Sequence, residues 1–170
     1  MTNRTSTRCD LANIDEAIDR WADTVWRLTC ARMRNDHDAA DAFQNTFLAL
    51  CKARPTFNSL EHQKAWLLRC ACNCCAQIAR RRRAHPTCTL DDIEVADDRP
   101  GPEYDLELDQ MLATLSEAQR TAVHLFYFEG YSTDEIARIT GERPATVRSH
   151  LYRARQALRL ELERQGVSAC

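Results

Sequence analysis

Residues 132–155, STDEIARITGERPATVRSHLYRAR, have the pattern of two helices joined by a tight turn. Ser132 and Glu135 are spaced as a capping box, in which each side chain satisfies the backbone N–H of the other at a helix start. Gly141 can end that first helix, because glycine adopts the left-handed conformation of a helix C-terminus at little cost. Pro144 suits the first turn of the next helix. The stretch therefore predicts a helix-turn-helix.

The second helix, expected from Pro144 to about Gln165, is basic on one side. Residues 144–160 contain four arginines and no acidic residue. The N-terminal residues of a recognition helix reach base edges, and later arginines reach phosphates. We therefore expect it to bind DNA, with a solvated basic face in a helical bundle as the alternative. Helical spacing predicts a buried face of Val147, Leu151, Ala154 and Leu158 and an outward face of Ala145, Thr146, Arg148, Ser149, Tyr152 and Arg153.

The amino-terminal half has helical periodicity almost throughout. Asp36 or Asp38 can cap its second helix, which Pro55 ends because proline disfavours helical geometry in the residue before it. Ser59 can cap the third, with Gln63 close by. The expected helices are residues 12–34, 38–53 and about 59–83.

The carboxy-terminal half begins after an acidic segment that contains three prolines and a glycine. We expect a linker over residues 85–103, then a helix in LELDQMLATL that ends before Ser116. Ser116 and Gln119 form a second capping-box pattern, and Gly130 can end the helix that follows. The fold class is therefore all-α, with two small helical domains, residues 10–84 and 104–165, joined by the linker.

The composition excludes several classes of protein. The 170 residues are 44% hydrophobic and 28% charged, and only 4 Gly and 5 Pro argue against disorder and collagen. No apolar run approaches the ~20 residues of a membrane span, and the amino terminus has no apolar segment typical of a signal peptide. Nine cysteines are an odd number, and disulfide scaffolds suit short secreted chains. We expect a cytoplasmic protein with no membrane insertion.

The net charge of −2 conceals a strong asymmetry along the chain. Residues 1–84 carry a net charge of +5, residues 85–109 carry −8, and residues 110–170 carry +1. Two neutral-to-basic blocks flank an acidic segment, and such asymmetry is a hint of nucleic-acid binding.

The second basic feature is the run Arg80, Arg81, Arg82 and Arg83 at the end of the third helix. Cations complement the dipole at a helix C-terminus, but four in a row are better explained by phosphate neutralisation. The preceding loop offers Arg54, Phe57 and Asn58, an aromatic ring with polar donors that suit an unpaired base. An ordinary packed turn is the alternative for that loop.

The helix predicted over residues 38–53 has a polar and an apolar side. Asp41, Gln44 and Asn45 share the polar side, while Phe43 and Phe47 are neighbours on the apolar one. The polar side is either a solvated helix back or a surface that docks on another protein, and composition does not choose between them.

Three stretches together resemble a known family. They are DAADAFQNTFLAL at 38–50, WLLRCACNCCAQIARRRR at 66–83, and LATLSEAQRTAVHLFYFEGYSTDEIARITGERPATVRSHLYRARQALR at 112–159. In this order, with an acidic linker between the second and third, they resemble the sigma-70 family of RNA polymerase sigma factors. The resemblance is to the extracytoplasmic-function (ECF) group, which contains only regions 2 and 4, and it covers about residues 10–164.

The resemblance implies a role for each stretch. The region 2.2-like helix would dock on the clamp helices of the RNA polymerase β′ subunit through Asp41, Gln44, Asn45 and Phe47. The region 2.3- and 2.4-like segment would melt the −10 element and hold a flipped base through Arg54, Phe57, Asn58, Asn73, Arg80, Arg81, Arg82 and Arg83. The region 4.2-like helix would read the −35 element through Ala145, Thr146, Arg148, Ser149, Tyr152, Arg153 and Arg155. Region 4 would also contact the β flap, and an anti-sigma factor is a further partner that the family implies.

Two positions depart from the family pattern. Ala40 stands where the family usually has an acidic residue in region 2.2, and Gln77 stands where it commonly has aspartate in region 2.4. These departures concern the contacts with core polymerase and the −10 preference.

The cysteines are a separate question. Cys70 and Cys74 share one face of the third helix, and Cys72 and Cys75 share another, so four thiolates cannot converge on one metal ion from this helix alone. We expect core packing, with thiol or metal sensing as the alternative, and we expect no metal and no cofactor. Cys9, Cys88 and Cys170 lie outside the predicted core helices.

The sequence thus predicts a sigma factor without catalytic activity, since it contains no nucleophile, phosphate-binding loop or metal motif. The alternative is a stand-alone helix-turn-helix transcriptional regulator, which could respond to thiol chemistry or to a metal.

Overall fold

The computed structural model of the chain describes residues 14–33, 35–84 and 111–164, which contain helices and no β-strand. The all-α fold class is confirmed. A π-helical turn, His124–Phe128, directly continues the fourth of the helices named here. These helices are α1 (Ile14–Arg32), α2 (Asp36–Ala53), α3 (Leu60–Ala84), α4 (Glu117–Val123), α5 (Thr133–Thr140) and α6 (Pro144–Arg164).

The start of α2 differs from the prediction that Asp36 or Asp38 caps it. Asn35 is the N-cap, because its backbone is extended (φ −122°, ψ 126°) and its side-chain oxygen accepts the N–H of Asp38 at 3.2 Å. Asp38 is instead buried, and its carboxylate pairs with Arg82 at the far end of α3 at 2.8 Å. The prediction was wrong because both aspartates already lie inside the first helical turn.

Ser59 caps α3 as predicted, since its Oγ accepts the N–H of His62 at 3.1 Å. The backbone N–H of Gln63 donates to Ser59 O at 3.1 Å. Its side chain is 1% exposed, and its Oε1 accepts a hydrogen bond from Trp21 Nε1 of α1 at 2.9 Å. A residue that resembled a capping partner is therefore a buried link between α1 and α3.

The helix after Ser116 is shorter than predicted. The capping box forms, with Ser116 Oγ accepting from Gln119 N at 3.4 Å and Gln119 Oε1 accepting from Ser116 N at 2.9 Å. After Val123 the chain widens into the π-helical turn, where Glu129 N donates to His124 O at 3.2 Å. Gly130 follows with φ +75°, which is the stop that the sequence predicted.

Several predicted segments lie outside the described residues. The linker at 85–103 is among them, as are most of the helix predicted in LELDQMLATL, of which residues 111–113 are described and helical, and the last residues of the chain.

One hydrophobic cluster runs through the part of the chain that the structure describes. It joins α1, α2 and α3 to α4, α5 and α6, since α1 packs against α4 and α3 packs against α5. Its members from the two halves include Ala17, Leu28, Leu67, Leu115, Leu125, Ile136 and Leu151. The surfaces that the sequence singled out are therefore carried on one packed body.

Candidate nucleic-acid interface

The helix-turn-helix has the local geometry that its sequence predicts. Ser132 N–H donates to Glu135 Oε2 at 2.9 Å, and Ser132 Oγ accepts from Glu135 N at 3.4 Å, which completes the capping box of α5. The Ser132 hydroxyl also donates to Glu135 Oε2 at 2.7 Å, and this bond and the one from the Ser132 N–H lower the pKa of the Glu135 carboxyl. Gly141 ends α5 with φ +76°, and its N–H donates to Ala137 O at 2.9 Å. The turn thus places α6 directly after α5.

The buried and exposed faces of α6 follow the predicted spacing. Val147, Leu151 and Ala154 are buried, and Leu158 packs against the core while remaining partly exposed. The predicted DNA-binding residues are all exposed: Ala145, Thr146, Arg148, Ser149, Tyr152, Arg153 and Arg155.

The arginines of α6 differ in their ion pairs. Arg159 is paired with Glu163 at 3.0 Å, one helical turn further on. Among the described residues, no acidic side chain forms an ion pair with Arg148, Arg153 or Arg155. These three guanidinium groups are therefore available to phosphates and base edges.

A polar stripe runs along the exposed side of α3. Asn73 and the arginine run at 80–83 are exposed, and Gln77 lies between them on the same side. Arg69 is also exposed, one turn before Asn73, and sequence reasoning missed it. The spacing of Arg69, Asn73 and Gln77 at intervals of four residues is the signal that would have found it.

Arg82 is held by the protein itself. Its Nε lies 2.8 Å from Asp38 Oδ2, so it joins the end of α3 to the start of α2. Burial raises the pKa of the Asp38 carboxyl, and the charge of Arg82 offsets part of this rise. Arg82 is thus less available to DNA than its neighbours in the run.

The loop between α2 and α3 holds its aromatic ring partly inside. Phe57 packs edge-on against Trp66, with ring centroids 5.8 Å apart, and against His62 at 5.6 Å. Asn58 is exposed, and Arg54 is exposed with a left-handed backbone (φ 43°) at the end of α2. The ring of Phe57 supports the loop, and the two polar residues form its outer surface.

Three of the four residues predicted to dock on core polymerase are exposed on α2. Asp41, Gln44 and Asn45 are exposed along one side. Phe47 is 7% exposed and packs edge-on against Phe43, on the apolar side of the helix where the sequence placed it. It lies in the core beneath this face because apolar burial outweighs surface placement. Leu48, which is 49% exposed, lies one turn after Gln44 and Asn45 and was missed.

The described cysteines pack into or near the core. Cys72 and Cys75 are buried, and Cys70 and Cys74 are half-buried. Burial raises the pKa of the Cys70 thiol to about 11 and that of Cys75 to about 12. Thiols that stay protonated are poor nucleophiles and poor metal ligands. Within the described ranges, no three His, Cys, Asp or Glu side chains are grouped to hold a metal ion.

The two halves of the chain match two parts of one protein family. The sequence model of sigma-70 region 2 matches residues 17–85, and that of sigma-70 region 4 matches residues 105–158. The chain is 33% identical over 145 residues to the ECF RNA polymerase sigma factor SigM of Mycobacterium tuberculosis, a match that covers 85% of this chain and 74% of the relative. This chain belongs to the ECF group of sigma-70 factors.

Other comparisons agree with this assignment. RNA polymerase sigma factor SigV of Bacillus subtilis is 27% identical over 144 residues, which cover 84% of this sigma factor and 87% of SigV. A solved structure of the sigma factor RpoE in complex with the anti-sigma factor NepR, from Bartonella quintana, has the same fold, with a TM-score of 0.71 at 21% identity. The match covers 90% of this sigma factor and 98% of that chain. No helix in the described part of this sigma factor is long and apolar enough to cross a membrane.

Proposed function

We propose that this sigma factor binds core RNA polymerase and directs it to promoters by recognising a −10 and a −35 element. The observation that carries the proposal is the outward face of α6, where three arginines without an ion-pair partner among the described residues surround small and polar side chains. We divide the chain into a region 2 domain at 10–84, a linker at 85–103 and a region 4 domain at 104–165.

In this proposal α6 lies in the major groove of the −35 element. Ala145, Thr146 and Arg148 occupy its first turns and would meet base edges, while Ser149, Tyr152, Arg153 and Arg155 would meet base edges or the phosphate backbone. The buried face of Val147 and Leu151 supports this role, because it fixes the rotation of α6 about its own axis.

The exposed side of α3 and the loop before it would recognise and melt the −10 element. Asn73 lies at the centre of the polar stripe, and Arg80, Arg81 and Arg83 would neutralise phosphates at its end. Arg54 and Asn58, on the outer surface of the loop that Phe57 supports, would hold a flipped non-template base, which lowers the cost of unpairing.

The polar face of α2 would dock on the β′ clamp helices. Asp41, Gln44 and Asn45 supply its hydrogen-bonding groups, and the buried Phe47 would set the position of the helix. The region 4 domain would contact the β flap. We place the protein in the cytoplasm, acting by binding and without catalysis of its own, and we propose an anti-sigma factor as a further partner.

Run-off transcription with purified core polymerase tests this function. We expect core-dependent initiation at discrete start sites on genomic promoter fragments, lost on combining Arg148→Ala and Arg153→Ala. The control is Arg27→Ala, which removes an exposed arginine of α1 that pairs with Asp23 at 2.8 Å and is not among the predicted DNA-binding residues. Absence of initiation, together with tight binding to an operator without polymerase, would instead establish a stand-alone regulator.

A further inference from the structure

One member of the arginine run at 80–83 is neutralised by the protein itself. Arg82 Nε lies 2.8 Å from Asp38 Oδ2, whereas no acidic side chain of the described residues forms an ion pair with Arg80, Arg81 or Arg83. The side chain of Arg82 is 57% exposed, so its exposure alone would leave it open to a phosphate. The run of four cations therefore offers three of them to DNA.

Asp38 is held in place at the start of α2. Its backbone N–H donates to the side-chain oxygen of Asn35 at 3.2 Å, and the N–H of Ala39 donates to Asn35 O at 3.0 Å. These bonds fix Asp38 in the first turn of the helix, where the helix dipole favours an anion. The carboxylate therefore cannot follow Arg82 outward into solvent.

The two ends of this ion pair differ in exposure. The Asp38 side chain is 11% exposed, against 57% for Arg82. Ion pairs that are exposed at both ends contribute little, because water replaces either partner. A nearly buried carboxylate has little such water, and an uncompensated buried charge is strongly unfavourable. A phosphate that drew Arg82 away would leave Asp38 in that state, so the pair resists exchange.

The charges around Asp38 offer no equivalent substitute for Arg82. Burial raises the pKa of the Asp38 carboxyl, and the negative charge of Asp41, one turn further along α2, raises it again. Arg82 lowers this pKa through its charge and a hydrogen bond, and the effect of His37 in the same direction is the smallest of these. Arg82 is therefore the main cation that compensates Asp38.

The number of available arginines sets how strongly the run binds any nucleic acid. Each arginine that contacts a phosphate releases counterions, which steepens the slope of log K against log salt by about 0.7 for a single strand. Phosphate contacts carry no sequence information, so a fourth available arginine would strengthen binding to every strand alike. An internal anion that occupies one arginine lowers this affinity.

We propose that Asp38 withholds Arg82 from nucleic-acid phosphates, so that the run binds a single strand through Arg80, Arg81 and Arg83 alone. Asp38 is a positioning residue, because it acts through Arg82 and touches no nucleic acid itself. The consequence for the −10 element rests on the proposed function, whereas the withholding of Arg82 rests on the ion pair.

Salt-dependent binding to a single strand tests this in the full chain. The probe is a fluorescently labelled oligodeoxythymidine of about 20 nucleotides, and anisotropy gives K between about 50 and about 200 mM salt. The variants are Asp38→Asn, Arg82→Gln and Arg81→Gln. The control is Asp23→Asn, which makes the same change in net charge and breaks an ion pair with Arg27 that also measures 2.8 Å.

We expect Asp38→Asn to make the slope of log K against log salt more negative by about 0.7 and to tighten binding at about 50 mM salt by about threefold or more. Arg81→Gln should make the slope less negative by about 0.7. Arg82→Gln and the control should leave it unchanged.

Equal losses of slope in Arg81→Gln and Arg82→Gln would overturn the inference, because Arg82 would then already contact phosphate in the wild-type protein. No loss in either would overturn it as well, since the run would then bind no phosphate. So would a folded Asp38→Asn variant with the wild-type slope. If circular dichroism shows that Asp38→Asn loses helix content, the two arginine variants decide alone.

Combining Asp38→Asn with Arg82→Gln separates the released arginine from the lost carboxylate. If the gain comes from Arg82, the double variant returns to the wild-type slope. A gain that persists would assign the effect to the missing negative charge and overturn the inference.

Run-off transcription with core polymerase keeps this inference distinct from the proposed function. The expected slopes, without any initiation by the wild-type protein, would refute the proposed function and leave the withholding of Arg82 standing. Initiation by the wild-type protein together with equal losses in Arg81→Gln and Arg82→Gln would do the reverse.

Discussion

The carboxyl of Glu129 makes folding stability depend on pH in a predictable way. Burial by itself raises its pKa, but His124 and Lys64 together outweigh burial and lower the pKa from the ordinary 4.5 to about 2. Lys64 contributes a direct ion pair at 2.8 Å, and His124 Nε2 lies 3.6 Å from the other carboxylate oxygen.

The magnitude follows from the difference between the folded and unfolded states. A folded pKa below the unfolded value gives stability that is fully present above about pH 4.5 and is lost as the pH falls towards about 2. At about 1.4 kcal/mol for each unit of pKa, the ionised carboxylate contributes roughly 3 kcal/mol at neutral pH. Roughly 2 kcal/mol of this should be lost by about pH 3.

Glu129→Gln is the perturbation that tests this magnitude, because glutamine keeps the shape of the side chain and does not titrate. Urea unfolding followed by circular dichroism gives the free energy of unfolding at several pH values between 7 and 3. We expect the wild-type protein to lose roughly 2 kcal/mol more than the variant over this range. The control is Glu163→Gln, an exposed carboxylate paired only with Arg159 among the described residues, which should follow the wild type. If the free energy of unfolding depended on pH equally in Glu129→Gln and in the wild-type protein, the reasoning would be refuted.

Three further predictions concern the helix-turn-helix and the cysteines. Gly141→Ala should destabilise the protein by about 1–2 kcal/mol in urea unfolding, because its φ of +76° strains any side chain although nothing lies within 4 Å of an added Cβ; an unchanged midpoint would contradict this. Leu151→Ala should lower the free energy of unfolding by about 2–5 kcal/mol in the same measurement, since Leu151 is 3% exposed on the buried side of α6. The control, Gln156→Ala on the exposed side of α6, should change it by less than about 0.5 kcal/mol. Cys72 and Cys75 should react with a thiol reagent only in urea, as read by mass spectrometry; labelling of the native protein at either would show that the buried thiols are accessible.

The local features of the fold were predictable because their signals lie within a few residues. The capping boxes at Ser116 and Ser132, the glycine stops and the buried stripe of α6 each depend on spacings of three or four residues. Where two neighbouring residues could serve the same purpose, as at the start of α2, the sequence alone did not identify Asn35 as the cap.

The contacts between the halves could not be predicted in this way. Arg120 donates to a carbonyl 89 residues away, and no periodicity in the sequence connects a side chain to the end of a distant helix. The same holds for Lys64. In the sequence it resembles an ordinary surface lysine, and only the packing of the turn after α4 against α3 pairs it with Glu129. The burial of Phe47, by contrast, agrees with its position beside Phe43 on the apolar side of the predicted helix.

Footprinting of the holoenzyme on one promoter fragment tests the central claim most directly. Hydroxyl-radical cleavage locates the protected DNA, and permanganate marks unpaired thymines. We predict two protected patches about 25 base pairs apart, with unpaired bases in the downstream patch only when core polymerase is present, and loss of the upstream patch on combining Arg148→Ala with Arg153→Ala. A single protected patch that forms without polymerase, and in which no thymine becomes unpaired, would contradict the account.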